Sequence, residues 1–193
     1  MCIYFDLETT GLNQFHDKIT DLCFIKESDN SQYQTLVNPE KNISNFITRL
    51  TGISNEMVQD KPTFEQLYPN ILTFINDSPE TKYLIAHNGD GFDKIILRVH
   101  LKNVGVDTSQ FDWKCIDTLL LAKKLYPYIF KHNLKNLMTV FNLTVRDAHR
   151  AEADTLMLRD LYRHLCLDLA KKEKVEYQYV LDNPEFVWSY INE

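Results

Sequence analysis

Two acids near the start of the chain, Asp6 and Glu8, alternate with apolar residues in the run Cys2-Ile3-Tyr4-Phe5-Asp6-Leu7-Glu8. On an extended strand, positions i and i+2 share a face, so both carboxylates point the same way. Like charges held together are costly unless a cation or protons offset them. A third acid, Asp93, follows Ala86-His87-Asn88-Gly89-Asp90-Gly91-Phe92 at the start of a helical pattern, where it also suits an N-cap. A fourth, Asp154, closes the run His149-Arg150-Ala151-Glu152-Ala153-Asp154. The step from His149 to Asp154 is nearer one and a half helical turns than one. The imidazole can therefore sit at a loop edge while Asp154 stands within the helix. Each of these residues has a plain structural reading as a surface or capping group. Together they make four carboxylates and one imidazole. Oxygen donors of this kind suit Mg²⁺ or Mn²⁺ rather than a structural Zn²⁺. A pair of such ions can clamp the attacking and leaving oxygens of a phosphodiester hydrolysis. His149, with an ordinary pKa of about 6.5, is the member of the set suited to take a proton from water at neutral pH.

These side chains need elements to carry them. Residues 2–8 are short and β-rich and read as a strand, turned by Thr9-Thr10-Gly11-Leu12. Residues 18–26, with Ile19, Leu22, Phe24 and Ile25, read as a second strand, and 33–37 as a third, stopped by Asn38-Pro39. This opening is a meander rather than a βαβ unit. One helical turn fits 54–59. Thr63 and Gln66 form a capping-box pattern ahead of Leu67, Ile71, Phe74 and Ile75, with Pro69 able to bend that helix or shift its start. Strands are expected over 82–87 and 111–116, and helices over 93–103, 117–125, 134–141 and 148–169. Three strands, helix, strand, helix, strand and then helices describe an α/β fold with a mixed sheet and helices packed on it. Lys171 to Lys174 suit the C-terminal end of a solvated helix. The rings of Tyr177, Tyr179, Phe186, Trp188 and Tyr190 imply that the tail packs on the body or on a partner.

The chain of 193 residues fits one domain with a short appendage and is long enough to bury a full core. Its formal charge of −6 argues against coating nucleic acid by global charge, though not against gripping a strand locally. Cys2, Cys23, Cys115 and Cys166 show no knuckle spacing and read as free thiols. The start lacks the basic, apolar pattern of a signal peptide, and no run approaches the ~20 apolar residues of a membrane span. An intracellular protein, cytoplasmic or nuclear and not secreted, is the expectation.

The motifs resemble those of the DEDDh (DnaQ-like) 3′–5′ exonucleases. Asp6-Leu7-Glu8-Thr9-Thr10-Gly11 resembles the first family motif, and His149 to Asp154 matches HxAxxD, the mark of the "h" subclass. Asn38-Pro39, Thr51-Gly52-Ile53, Asp117-Thr118-Leu119 and Leu134-Lys135-Asn136-Leu137 fall in family order, with Thr51 where the family usually has His. The step from Asn88 to Asp93, five residues rather than four, together with His149-Arg150-Ala151-Glu152, resembles the three-prime repair exonuclease (TREX) branch. The match covers roughly 1–166, which implies an exonuclease domain over 1–170 and a tail over 171–193.

The resemblance implies a ribonuclease H-like fold with a five-stranded mixed sheet flanked by helices. It implies Asp6, Glu8, Asp93 and Asp154 as ligands of two Mg²⁺ or Mn²⁺ ions and His149 as general base. It places Leu12 as a wedge against the terminal base, Thr9 at the pocket for the 3′ nucleotide and Ile53 against a base, and it adds Asn88 to the substrate-binding residues. It implies a substrate of single-stranded DNA, or RNA, 3′ ends, 5′ mononucleotides as products, no membrane, and a homodimer joined at sheet edges, although a short, partly polar third strand resists such pairing. The alternative is a nucleic-acid-binding or replication-complex subunit with little hydrolytic role. An intact His149 argues against it, since binding alone needs no base.

Overall fold

The computed structural model describes residues 1–146 and 150–193. Five strands, β1 (Cys2–Thr9), β2 (Ile19–Lys26), β3 (Gln32–Leu36), β4 (Lys82–Ala86) and β5 (Trp113–Asp117), form one sheet in the order β3-β2-β1-β4-β5. The first three make the antiparallel meander that their turns dictate. The chain then crosses over through α1 (Asn45–Thr51), α2 (Asn55–Val58) and α3 (Phe64–Ile75) and returns as β4, parallel to β1. After α4 (Asp93–Asn103), β5 joins parallel to β4. The expected α/β architecture, a mixed five-stranded sheet between helices, is the one observed.

Alternation along β1 builds two cores. Ile3, Phe5 and Leu7 face α3 and α4, where Ile71, Ile75, Ile96, Leu97 and Leu101 are buried. Cys2 and Tyr4 face the opposite side, beneath α5 (Thr118–Leu125), α6 (Leu134–Val140) and α7 (Ala151–Glu173). Leu158, Leu161 and Leu165 of α7 are fully buried there, at the three- and four-residue steps of one helix face. Two tail helices, α8 (Tyr177–Asp182) and α9 (Pro184–Asn192), put Val180 and Val187 into this same core. Lys114 of β5 fixes α9 by an ion pair to Glu185 at 2.6 Å and by lying over the Trp188 ring.

Element ends differ from the sequence reading by a residue or two, with larger shifts at the ends of α7. It runs to Glu173, beyond the expected 169, and is described from Ala151; Ala148, its expected start, lies outside the described residues. Asp117 is the cap of α5 rather than its first residue, accepting the Leu119 N–H at 2.8 Å. Pro69 sits within α3, while the Thr63 N–H donates to Gln66 Oε1 at 2.9 Å as the capping pattern requires. Helix α1 was not expected. Ser44 caps it and Gly52 ends it at φ 72, a conformation that glycine adopts at little cost. None of the four cysteines is disulfide-bonded. Among the described residues, no helix is long and apolar enough to cross a membrane.

Candidate active site

Asp6 and Glu8 continue the face of β1 that carries Cys2 and Tyr4, so both acids point toward α7. Asp154 is in the first turn of α7, and this helix packs along β1 and β2. One carboxylate oxygen from each of Asp6, Glu8 and Asp154 lies within 4.8 Å of the others. Asp93 arrives from the neighbouring strand. β4 runs parallel beside β1, and the loop after it delivers Asp93, buried, as the first residue of α4. Sequence spacing on two strands and two helices thus converges on one end of the sheet, the C-terminal end of β1, where sites of α/β folds gather.

The electrostatics are those of acids assembled without enough positive charge. Burial, then the facing Asp93, Asp154 and Glu8, hold the Asp6 carboxyl well above the ordinary carboxylate range. Burial and Asp154 push Glu8 up to about 8. Asp93 is raised to about 7, mainly by burial, although backbone N–H groups of Asp93 and Leu7 favour its charged form. The donor set is all oxygen, and charge on these acids is disfavoured unless a cation enters. That is the chemistry of a site for a hard divalent cation such as Mg²⁺ or Mn²⁺, and Asp6, Glu8 and Asp154 form a candidate metal-binding cluster.

The turn after β1 is tightly built. The Thr10 hydroxyl donates to Asp17 Oδ1 at 2.9 Å, and Asp17 Oδ2 accepts the Asn13 N–H at 2.8 Å. Asp17 closes so near the chain that a Cβ at Gly11 would meet its Oδ2 at 2.5 Å. Thr9, buried, donates its hydroxyl to the Gly11 carbonyl at 2.6 Å. Leu12, by contrast, is 85% exposed at the tip. Asn88 has φ 64, and its N–H is held by Asp117 Oδ1 at 2.9 Å.

Ile53 corrects the expectation that it packs on a base. It is fully buried with Ile43, Ile47 and Val58 in a separate small core, and a side chain with no exposed surface offers no face to a ligand. Thr51 supports that core. Its hydroxyl donates to the Ile47 carbonyl at 3.0 Å and accepts the Ile53 N–H at 3.2 Å. His149, the expected base, lies outside the described residues.

One acid escaped the sequence reading. Asp21 of β2 lies directly across from Glu8 and is fully buried. Its Oδ2 accepts from Arg150 Nε at 3.0 Å and from the Ala151 N–H at 3.4 Å. Asp21 therefore ties the first residue of α7 to the sheet at the register that brings Asp154 over Asp6 and Glu8. The signal available was its place in a strand whose every residue is buried. An acid there needs a partner.

The family model described as RNase_T, exonuclease, matches residues 3–162. The DNA polymerase III PolC-type protein of Caldanaerobacter subterraneus subsp. tengcongensis is 32% identical over 163 residues, 83% of this chain and 11% of that protein. The Bacillus subtilis PolC-type protein is 32% identical over 173 residues, 88% of this chain and 12% of that one. The DNA polymerase III subunit epsilon of Treponema pallidum is 30% identical over 173 residues, 87% of this chain and 77% of that subunit. The chain thus spans about a tenth of the length of the PolC-type proteins it matches. Among solved structures, an exonuclease I superposes with a TM-score of 0.77 at 15% identity, covering 94% of this chain and 43% of that one. Exonuclease X, solved in complex with 5′ overhanging duplex DNA, gives 0.65 at 23% identity, covering 94% and 98%. At those identities the two structures establish the shared fold.

Proposed function

The chain belongs to the RNase_T exonuclease family, of the DEDDh (DnaQ-like) type, and on that premise we propose that it removes nucleotides one at a time from the 3′ end of single-stranded DNA, releasing 5′ mononucleotides. The observation that carries this is the convergence of Asp6, Glu8 and Asp154 within 4.8 Å. These three and Asp93 would hold two Mg²⁺ or Mn²⁺ ions. Bound there, the ions supply positive charge to the attacking and leaving oxygens.

The remaining work falls to the chain. His149, at its spacing before Asp154, takes a proton from the attacking water and is worth roughly 10²–10⁴ in rate. Leu12, bare at the tip of the turn, wedges against the terminal base, while Thr9 and Asn88 line the 3′ nucleotide's place. RNA would be accepted where no side chain reads the 2′ position. Residues 1–170 serve as the exonuclease domain, with 171–193 as its tail. The five-residue step from Asn88 to Asp93 supports the TREX branch, and with it a homodimer through the β3 edge. The polymerase III relatives support instead a place beside a replicative polymerase, with hydrolysis retained.

Labelled linear and closed-circular single strands, with Mg²⁺ and with EDTA, test the reading. Linear DNA should shorten from its 3′ end to mononucleotides only with metal, and closed circles should survive. Cutting of closed circles, or inactivity on both with metal present, sinks it. His149→Ala should lose the acidic limb of the single-turnover rate between pH 5.5 and 9.

A further inference from the structure

From Thr118 to Arg146 the chain carries no acidic residue. These 29 residues hold Lys123, Lys124, Lys131, Lys135 and Arg146, in a protein whose formal charge is −6. Arg146 pairs with Asp160, and Lys124 donates to the Tyr190 carbonyl on α9. Lys123, Lys131 and Lys135 are exposed and make no ion pair with the described residues. Between the lysines stand two bare rings, Phe130 at 95% exposure and Tyr128 at 78%. Large aromatic side chains this exposed, beside cations that make no ion pair with the described residues, mark a surface that meets something.

The segment is held in place. The His87 ring, just past β4, contacts the His132 carbonyl through Nε2 at 2.7 Å and Thr118 Oγ1 through Nδ1 at 2.9 Å. Burial lowers the His87 pKa, so the neutral ring donates its Nε2–H to that carbonyl. His132 in turn contacts the Tyr126 carbonyl at 3.0 Å, and Asn136 donates to the Lys131 carbonyl at 2.6 Å. An open cleft of about 480 Å³ results, lined by His87, Asn88, Lys123, Phe130 and His132 among others. Asn88 is its link to the acids, because the loop that starts there delivers Asp93.

We propose that this cleft and its rim are the track for the 5′-ward nucleotides of a single DNA strand whose 3′ end lies at Asp6 and Glu8. Phe130 and Tyr128 stack on bases, and Lys123 and Lys131 meet phosphates. Rings serve any base, because every base has a π-face, so the track reads no sequence. Charge complementarity selects the occupant: a polyanion suits an acid-free, lysine-bearing surface beside an acidic site that needs cations. The proposal rests on the exonuclease reading above.

The test compares a 12-nucleotide single strand with the p-nitrophenyl ester of thymidine 5′-phosphate, which is too short to reach the track. The variants are Phe130→Ala and the double Lys123→Ala/Lys131→Ala. In each, the ratio of kcat/KM for the strand to kcat/KM for the ester should fall about tenfold. In the double variant, the slope of log affinity against log salt should shrink by about 1.4, at roughly 0.7 per phosphate contact. A ratio and slope that match the wild type overturn the track. Should the wild type with metal cleave neither substrate, the exonuclease reading fails instead. Anisotropy with the same 12-mer then decides the track, unchanged affinity in both variants removing it.

Discussion

The same three elements, β1, β2 and α7, meet at both ends of the β1–β2 pair and treat charge in opposite ways. At one end Glu27, just past β2, accepts from the Tyr4 hydroxyl at 2.7 Å and from Arg163 of α7 at 2.7 and 3.1 Å. The acid there has a cation and a hydroxyl donor. At the other end Asp6 and Glu8 of β1 face Asp154 of α7, and the Arg150 guanidinium beside them is committed to Asp21. One junction is complete as protein. The other stores repulsion that a bound cation would relieve. Selection for stability alone would make both ends like the first, so the difference supports the acid end as the proposed place of reaction.

The largest break of this contrast is Asp6→Asn or Asp154→Asn. Cleavage should fall roughly a thousandfold or more, because cations that these acids would hold would supply several kcal/mol of charge stabilisation. Stability in EDTA should hold or rise, since one repelling charge is gone. Single-turnover rates and melting curves check both halves. A variant that cleaves within tenfold of wild type would move the reaction elsewhere.

A proton can substitute for the cation, which predicts a pH effect on the metal-free protein. Asp6, Glu8 and Asp93 all bind protons more tightly folded than unfolded. Their contribution to stability is therefore present at low pH and lost as pH rises through the folded values, about 7 for Asp93 and about 8 for Glu8. Between pH 5 and 8.5 the melting temperature in EDTA should fall, by an amount on the order of a few kcal/mol in stability. Added Mg²⁺ should flatten that slope. An EDTA curve that rises with pH over this range contradicts the repulsive reading.

The acid end was more legible in the sequence than the structure that aligns it. Asp6 and Glu8 could be put on one face because a strand's period of two leaves no other choice. Asp93 could be put beside them once the fourth strand was taken as a neighbour of the first. Helix α1 was not legible by periodicity, since seven residues bury only Ile47 and Thr51; the Ser44 and Gly52 brackets were its real signature. Ile53 was misassigned because neither its type nor its position shows the small core of Ile43, Ile47 and Val58 that closes over it. Asp21 was passed over because β2 reads as an ordinary strand with a polar position, and its partners lie 129 and 130 residues away. Contacts of that separation leave no local pattern.

Asp21 sharpens the comparison at the active end, since it aligns the acids without belonging to their cluster. Asp21→Asn should keep the fold and lower kcat about tenfold by loosening the start of α7. Arg150→Gln should do the same, and the double variant should be little worse than either, because both remove one link. Additive losses would mean that the two residues act separately.

The smallest effect belongs to the completed end. Arg163→Ala removes the guanidinium from Glu27 but leaves the Tyr4 hydroxyl as a donor. Both partners of the ion pair keep contact with water, so solvent already screens much of their attraction. The expected cost is therefore ~0.5–1 kcal/mol of stability, read as a melting shift of a few degrees or less. A cycle with Glu27→Gln should return a coupling of the same size. Turnover on single strands should stay within about twofold of wild type, since Arg163 stands nine residues beyond Asp154 on α7, roughly 13.5 Å of helix rise. A tenfold loss of turnover with Arg163→Ala would show that the two ends are mechanically linked through α7, and the division of labour along that helix would no longer stand.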